Sequence, residues 1–177
     1  MYQVDDVVVY GKTGVCRVVD ITVPKNSCLD TDRLYYVRQP MCDSCLIYTP
    51  VDTKIFMRPI VSAQEANRLI DTIPTIQADA YYNDRLQQLV QHYEQALKDY
   101  QCANLLELTM SIYTKKRCQG LRNQKFGQTD ERYLRHADEL LCSEFSLALG
   151  IPKEKVPEYI AARVDAKAQR KDKDGTH

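Results

Sequence analysis

The hydrophobic periodicity of this chain changes once, near residue 60, and this change constrains the fold more than any other feature. Before that point, short runs of β-branched and aromatic residues alternate with turn residues. After it, apolar residues recur at the i, i+3 and i+4 spacing of amphipathic helices. Because strands that precede a run of helices pair with one another, the pattern predicts an α+β chain built from two modules.

The first module is predicted to be a five-stranded antiparallel barrel of the SH3 or Tudor type. Its β-rich runs fall at 7–10, 15–23, 34–37, 46–49 and 55–57, with no helical pattern between them. The first turn contains Gly11-Lys12-Thr13, a sequence that also occurs in phosphate-binding loops. Such a loop requires a glycine five positions before its Gly-Lys pair, and Asp6 occupies that position. We therefore interpret Gly11 as a turn residue.

The second module is predicted to be an all-helical bundle. Ser62 and Glu65 have the spacing of a capping box, which predicts the start of a short helix. Further helices are predicted over 79–100, over 103–117, between a cap at Thr129 and a stop at Gly150, and over 151–168. The predicted domains are thus 1–61 and 62–168, followed by a charged disordered tail over 169–177.

The charge of the chain is balanced, with 24 basic and 24 acidic residues. DNA binding would therefore depend on a local basic patch. No apolar stretch is long enough to span a membrane, and the first residues lack the basic-then-apolar order of a secretory signal. These features favour a cytoplasmic protein with no membrane partner.

The sequence contains no catalytic signature. Its three histidines, at 92, 136 and 177, are scattered. No HExxH, GxSxG or dinucleotide-binding glycine motif is present. The prediction is a protein that is not an enzyme, with no cofactor and no small-molecule substrate.

Cys42 and Cys45 form a CxxC, but the seven cysteines of the chain supply no second CxxC. A zinc site would have to recruit Cys16 and Cys28 at irregular spacings. A dithiol redox switch is another alternative. The interpretation that we favour is a tight hairpin turn, with no metal site.

A basic segment lies between Tyr113 and Gly127, where the chain carries cations and no acid. Its members are Lys115, Lys116, Arg117, Arg122 and Lys125. Cations are common at a helix C-terminus, so a solvated helix end is one interpretation. The other is a patch that contacts phosphates.

Tyr81 and Tyr82 are the second notable surface feature. Tyr82 lies four residues before Leu86 and is predicted to join the buried stripe of the helix over 79–100. Tyr81 then shares the polar face with Arg85. An exposed aromatic ring beside an arginine can stack on an unpaired base.

Several stretches of the chain, taken in order, resemble the CarD/CdnL family of bacterial transcription regulators. The opening Val4-Asp5-Asp6-Val7-Val8-Val9-Tyr10, followed by Gly14-Val15, is similar to that family's first strand and turn. Met57-Arg58-Pro59-Ile60-Val61-Ser62 is similar to the junction that follows the family's later strands. The family's C-terminal signature is similar to Gly120-Leu121, 130–134 and 143–148. Two departures are Asp5, where the family usually has glycine, and Gly11, where it usually has proline.

The resemblance implies a regulator that bridges RNA polymerase and promoter DNA. The family's barrel binds the polymerase β subunit. Its helical domain contacts promoter DNA, largely independently of sequence, at the upstream edge of the transcription bubble and modulates open-complex stability. An aromatic residue there, usually tryptophan, wedges into the minor groove. Since this chain has no tryptophan, the resemblance places the wedge at Tyr81 or Tyr82.

By the same resemblance, Ile47, Tyr48 and Arg58 are the predicted β-subunit contacts. The strand at Tyr48 lacks the basic side chain of some relatives, so edge-strand pairing and tyrosines would dominate that interface. The predicted DNA-contacting set is Tyr81, Tyr82, Arg85, Lys115, Lys116, Arg117, Arg122 and Lys125. A protein-binding adaptor that uses the Tudor-like barrel without contacting DNA stays open as the alternative, and the balanced charge and missing tryptophan favour it.

Overall fold

The computed structural model describes residues 1–25 and 32–174. The chain divides into two compact units, Met1–Ile60 and Val61–His177, so the division falls one residue before the predicted boundary. Cys28, a candidate ligand in the zinc alternative, lies outside the described residues, as do residues 175–177 of the predicted tail.

The N-terminal unit is a five-stranded antiparallel sheet, which confirms the predicted Tudor-like fold class. Its strands are β1 (Val7–Tyr10), β2 (Gly14–Thr22), β3 (Tyr35–Pro40), β4 (Ile47–Pro50) and β5 (Met57–Pro59). They follow the order β4-β3-β2-β1-β5, with every neighbouring pair antiparallel. β4 and β5 are therefore the two ends of the strand order.

The first turns of this unit show how the chain accommodates its departures from the family pattern. Asp5 has a φ of 75°, a left-handed conformation that aspartate tolerates better than most residues and that suits glycine. Gly11 also has a positive φ, 39°, and a Cβ there would lie 3.2 Å from Ile55 Cγ2. Proline fixes φ at about −65° and is therefore incompatible with the turn at Gly11.

The core of the N-terminal unit is apolar, with one buried cation. Val8 packs with Val18 and Tyr36. Arg38 is fully buried, and its guanidinium carbon lies 3.3 Å from the centroid of the Tyr10 ring. Its Nε and Nη1 atoms have no hydrogen-bond partner among the described residues. Its Nη2 donates to the Thr49 hydroxyl, so the cation combines stacking on an aromatic face with one side-chain hydrogen bond.

The second unit is helical, as predicted. Its helices are α1 (Ala63–Thr72), α2 (Leu86–Ala96), α3 (Cys102–Leu121), α4 (Gln128–Leu149) and α5 (Val156–Asp174). Single 3-10 turns, Ile73–Thr75 and Lys153–Lys155, follow α1 and precede α5. The longest helices, α3 and α4, pack against each other and carry most of the buried apolar residues of this unit.

The predicted start and stop signals at Ser62 and Gly150 have the expected geometry. The Ser62 hydroxyl accepts a hydrogen bond from the Glu65 N–H at 3.1 Å, which satisfies one free donor of the first turn of α1. Gly150 ends α4 in a left-handed conformation, with φ 65° and ψ 33°. Glycine adopts that conformation without the steric cost that a Cβ brings.

The predicted start of the helix over 79–100 is wrong, because α2 begins only at Leu86. The Asn83 side-chain oxygen accepts a hydrogen bond from the Arg85 N–H at 2.9 Å. Such local side-chain bonds compete with helical hydrogen bonding. Leu86, which we expected in the buried stripe, is 62% exposed, whereas Leu89 and Tyr93 are buried.

The end of the described chain is also more regular than expected. Helix α5 continues through Asp174, so residues 169–174 of the predicted disordered tail have a helical backbone. No helix within the described ranges is long and apolar enough to cross a membrane.

Candidate functional site

Strand β4 carries two of the three predicted polymerase contacts. It pairs with β3, with Ile47 opposite Arg38 and Tyr48 opposite Val37. As the last strand in the order, it has one side without a neighbouring strand among the described residues, and such an edge can pair with a strand of another protein. Tyr48 is 41% exposed and Ile47 is half-buried. The edge therefore offers backbone groups together with an exposed tyrosine.

Arg58 lies apart from this edge in the strand order. It belongs to β5, at the opposite end, and is paired with Val9 of β1. Its Nη1 donates to the carbonyl oxygen of Pro59 at 3.0 Å. The structure thus brings Ile47 and Tyr48 together on one strand and places Arg58 on another.

The structure corrects one member of the basic segment. Lys115 is only 4% exposed, because α3 continues to Leu121 and turns this position toward α4. Its Nζ lies 2.9 Å from Asp130 Oδ1. The Tyr93 hydroxyl donates to the same oxygen at 2.6 Å, and burial together with this bond raises the pKa of Tyr93 well above its usual value. Lys115 is consequently an internal cation rather than a phosphate contact.

The other four members of the basic segment are exposed. Lys116 and Arg117 lie on the last two turns of α3, and Arg122 and Lys125 lie in the connection to α4. The Lys116 Nζ lies 5.3 Å from the ring centroid of Phe126. These four cations form the surface that can meet a phosphate backbone.

The environments of Tyr81 and Tyr82 are the reverse of those that the sequence predicts. Tyr82 is 49% exposed, whereas Tyr81 is half-buried and stacks on His92 with ring centroids 3.7 Å apart. Burial lowers the pKa of His92 and thereby favours the neutral ring. The helical i, i+4 spacing does not apply because Tyr82 precedes the helix. Arg85 and Leu86 are exposed as well.

The segment that carries Tyr82 is attached to both neighbouring helices by side-chain hydrogen bonds. Ser111 of α3 donates to the carbonyl oxygen of Asp79 at 2.6 Å. Asn83 donates to Gln88 of α2 at 2.9 Å and to the Tyr81 hydroxyl at 3.1 Å. The Tyr82 ring lies over the Lys115 ammonium, 5.3 Å from Nζ to the ring centroid. The exposed tyrosine is thus next to the part of α3 that carries the basic segment.

Comparison with known families now identifies the first unit. Residues 2–61 match the family model of the CarD-like/TRCF RID domain. The N-terminal unit belongs to this family. The match confirms the resemblance over this unit, and the family is one of RNA polymerase-interacting domains. No curated protein matches the chain.

The CxxC of the RID domain lies in the turn between β3 and β4. The Asp43 N–H donates to the Pro40 carbonyl oxygen at 3.3 Å, and the Asp43 carboxylate accepts from the Cys45 N–H at 3.2 Å. Cys42 and Cys45 are both exposed. Among residues 1–25 and 32–174, no group of three or more histidine, cysteine or acidic residues is placed to hold a metal ion.

Three features of the helical unit were not predicted from the sequence. The apolar spacing places Leu86 in the buried stripe, although its side chain is exposed. Neither the pairing of Asp130 with Lys115 nor the hydrogen bond from the Tyr93 hydroxyl to Asp130 follows from the sequence pattern. The four-residue spacing that makes α helices amphipathic contains no signal for a buried ion pair between two helices.

Proposed function

We propose that this protein is a transcription regulator that binds the β subunit of RNA polymerase through its RID domain. Its helical unit contacts promoter DNA at the upstream edge of the transcription bubble and modulates the stability of the open complex. The match of residues 2–61 to an RNA polymerase-interacting domain family is the observation that carries the proposal.

The edge strand β4 is the proposed docking surface for polymerase. Pairing of an exposed edge with a strand of the partner supplies backbone hydrogen bonds, while alternate side chains supply specificity. Tyr48 is the exposed anchor on this edge, and tyrosine is enriched among residues that dominate binding energy. Arg58, on β5, is a second and separate proposed contact.

Tyr82 is the proposed minor-groove wedge. It is the more exposed of the two tyrosines, and its ring centroid lies 5.3 Å from Lys115 Nζ, on the helix that also carries the exposed Lys116 and Arg117. Tyr81 instead supports the segment from within by stacking on His92. Arg85, Lys116, Arg117, Arg122 and Lys125 are the proposed phosphate contacts.

Polymerase docking can be tested by binding of the full-length protein to the purified β subunit. We expect Tyr48→Ala to weaken binding about tenfold or more, as for a central aromatic anchor. Tyr113→Ala is the matched control, since Tyr113 has the same chemistry and is 45% exposed but lies on α3. Equal affinities of the Tyr48 variant and the wild type would remove β4 from the interface.

DNA contact can be tested by the salt dependence of binding to a fork-junction promoter duplex. We expect Lys116→Ala/Arg117→Ala/Arg122→Ala to weaken binding and to reduce the slope of log K against log salt by about two to three. The control, Arg68→Ala/Lys98→Ala/Lys155→Ala, makes the same change in net charge at exposed positions elsewhere. Identical effects of the two triple variants would attribute the binding to overall charge.

Two observations favour the adaptor alternative. Net charge is zero, and the burial of Lys115 removes one cation from the predicted patch. An adaptor would bind the β subunit with wild-type affinity while showing no salt-dependent binding to the fork junction. The two experiments together therefore separate the bridging regulator from the adaptor.

A further inference from the structure

The ion pair between Lys115 and Asp130 is buried, which is unusual and needs a physical reason. The side chains of Lys115 and Asp130 are 6% and 4% exposed. Removing two charges from water costs free energy that the attraction between them offsets only when the geometry is good and further hydrogen bonds are made. The Tyr93 hydroxyl provides such a bond to Asp130 Oδ1 at 2.6 Å. The ammonium is thereby fixed at one point on the face of α3.

The Tyr82 ring is the surface group that this fixed ammonium reaches. The distance from Nζ to the ring centroid is 5.3 Å, which is within the range of a cation–π interaction. The ring is 49% exposed, so contact with the cation leaves much of its surface open to a ligand.

The backbone around Tyr82 cannot fix the ring by itself. Between the 3-10 turn that ends at Thr75 and the start of α2 at Leu86, the chain has no helix or strand. Side chains anchor the backbone at Asp79, through Ser111, and at Asn83, through Gln88. Neither anchor bonds to the Tyr82 side chain, so the ring orientation depends on its own contacts.

We propose that Lys115 is a positioning residue that holds the Tyr82 ring in its DNA-contacting orientation, an inference that rests on the proposed function of Tyr82. Lys115 itself does not touch DNA. The triad of Tyr93, Asp130 and Lys115 fixes the ammonium, and the ammonium fixes the ring. A ring that is already ordered loses less conformational entropy when it binds, and this favours the complex.

The absence of tryptophan from the chain allows a direct test of ring order without DNA. Tyr82→Trp introduces a single indole, and its fluorescence anisotropy decay reports the motion of that ring. We expect the decay to follow overall tumbling when Lys115 is present. In the background Lys115→Met/Asp130→Asn, which removes both charges together, we expect a fast nanosecond component typical of exposed side chains.

Two variants keep this measurement interpretable. Lys116→Met removes the exposed neighbouring cation and should leave the decay of Trp at position 82 unchanged. Tyr93→Phe keeps both charges and removes one hydrogen bond, so it should give a smaller fast component. It serves as the test variant if the double variant does not fold. An unchanged decay in every folded variant of the triad overturns the proposal, because a merely structural ion pair would alter stability and not ring motion.

The second arm compares affinities for the fork junction and for the fully paired duplex, with Tyr82 intact. We expect Lys115→Met/Asp130→Asn to weaken fork-junction binding about fivefold and to leave duplex binding unchanged. Lys116→Met should weaken both alike, and Lys115→Arg should retain wild-type binding. If ring motion increases but fork-junction affinity stays the same, positioning by Lys115 holds and the proposed DNA contact of Tyr82 fails.

Discussion

At the scale of single residues, the ion pair between Lys115 and Asp130 predicts that the loss of stability in a variant depends on which of the two charges remains. Lys115→Met alone leaves the Asp130 carboxylate buried and without its cation, which should cost about 3–5 kcal/mol of unfolding free energy. Lys115→Met/Asp130→Asn leaves no charge at this buried site and should cost clearly less. Urea unfolding of the two variants measures this difference. A double variant as unstable as the single one would show that packing, not charge, sets the cost.

The Cys45 thiol makes a second prediction at this scale. A hydrogen bond to the Asp43 carboxylate, with the negative charge of that group, raises the pKa of Cys45. A raised pKa lowers the fraction of reactive thiolate at pH 7 to 8. Asp43→Asn removes the charge, so Cys45 should be alkylated faster by iodoacetamide in that pH range. Mass spectrometry of both cysteines gives the rates, and Cys42 in the same molecule is the reference. No acceleration at Cys45 would contradict this role of Asp43.

The exposure of single side chains on α3 could not be predicted from the sequence. Lys115 and Lys116 are adjacent and chemically identical, yet one is buried and the other exposed. The difference arises from the rotation of about 100° between successive helical residues and from the position of Asp130 on α4. The sequence predicts that cations collect here, but the face each one occupies depends on how two distant helices pack.

At the scale of elements, two glycines should respond to alanine in opposite directions. Gly150 ends α4 with φ 65°, so Gly150→Ala should destabilise the protein by about 1 kcal/mol. Gly120 lies within α3, and an added Cβ there meets nothing within 4 Å. Gly120→Ala should therefore stabilise by about 0.5–1 kcal/mol. Thermal unfolding of both variants measures the pair, and a shift of the same sign in both would contradict the conformational argument.

The ends of helices were predictable where a residue at the end itself determines them. The capping serine at 62 and the stop at Gly150 are local signals, and both have the expected geometry. The start of α2 was not predictable from periodicity, because apolar spacing continues through Tyr82 although the chain there is not helical. The Asn83 side chain, which bonds to the Arg85 N–H, was the local signal against a helix. Because α2 starts only at Leu86, the exposures of Tyr81 and Tyr82 are the reverse of those that helical spacing predicts.

At the scale of the whole molecule, the order of strands and helices was predictable because the two periodicities are separated along the chain. The division after Ile60 lies close to the end of the matched region at residue 61. The two candidate surfaces were less predictable, since each combines side chains whose exposure depends on packing within its own unit: one lies on β4, and the other on the segment before α2 together with α3. The family resemblance indicates the candidate contact residues, and the exposure of each side chain shows which of them can reach a partner.

Because the two proposed surfaces belong to different units, we expect that polymerase binding and the effect on DNA can be impaired independently. Tyr48→Ala should raise the protein concentration needed for a half-maximal effect on open-complex lifetime by about tenfold, and leave the effect at saturation intact. Tyr82→Leu should leave that concentration unchanged and reduce the effect at saturation, because docking does not require the wedge. Open-complex half-lives after a competitor challenge, measured across protein concentrations, give both parameters, with Tyr113→Ala as the control. If both variants change the same parameter, the two surfaces do not act as separate contacts, and the bridging mechanism is wrong.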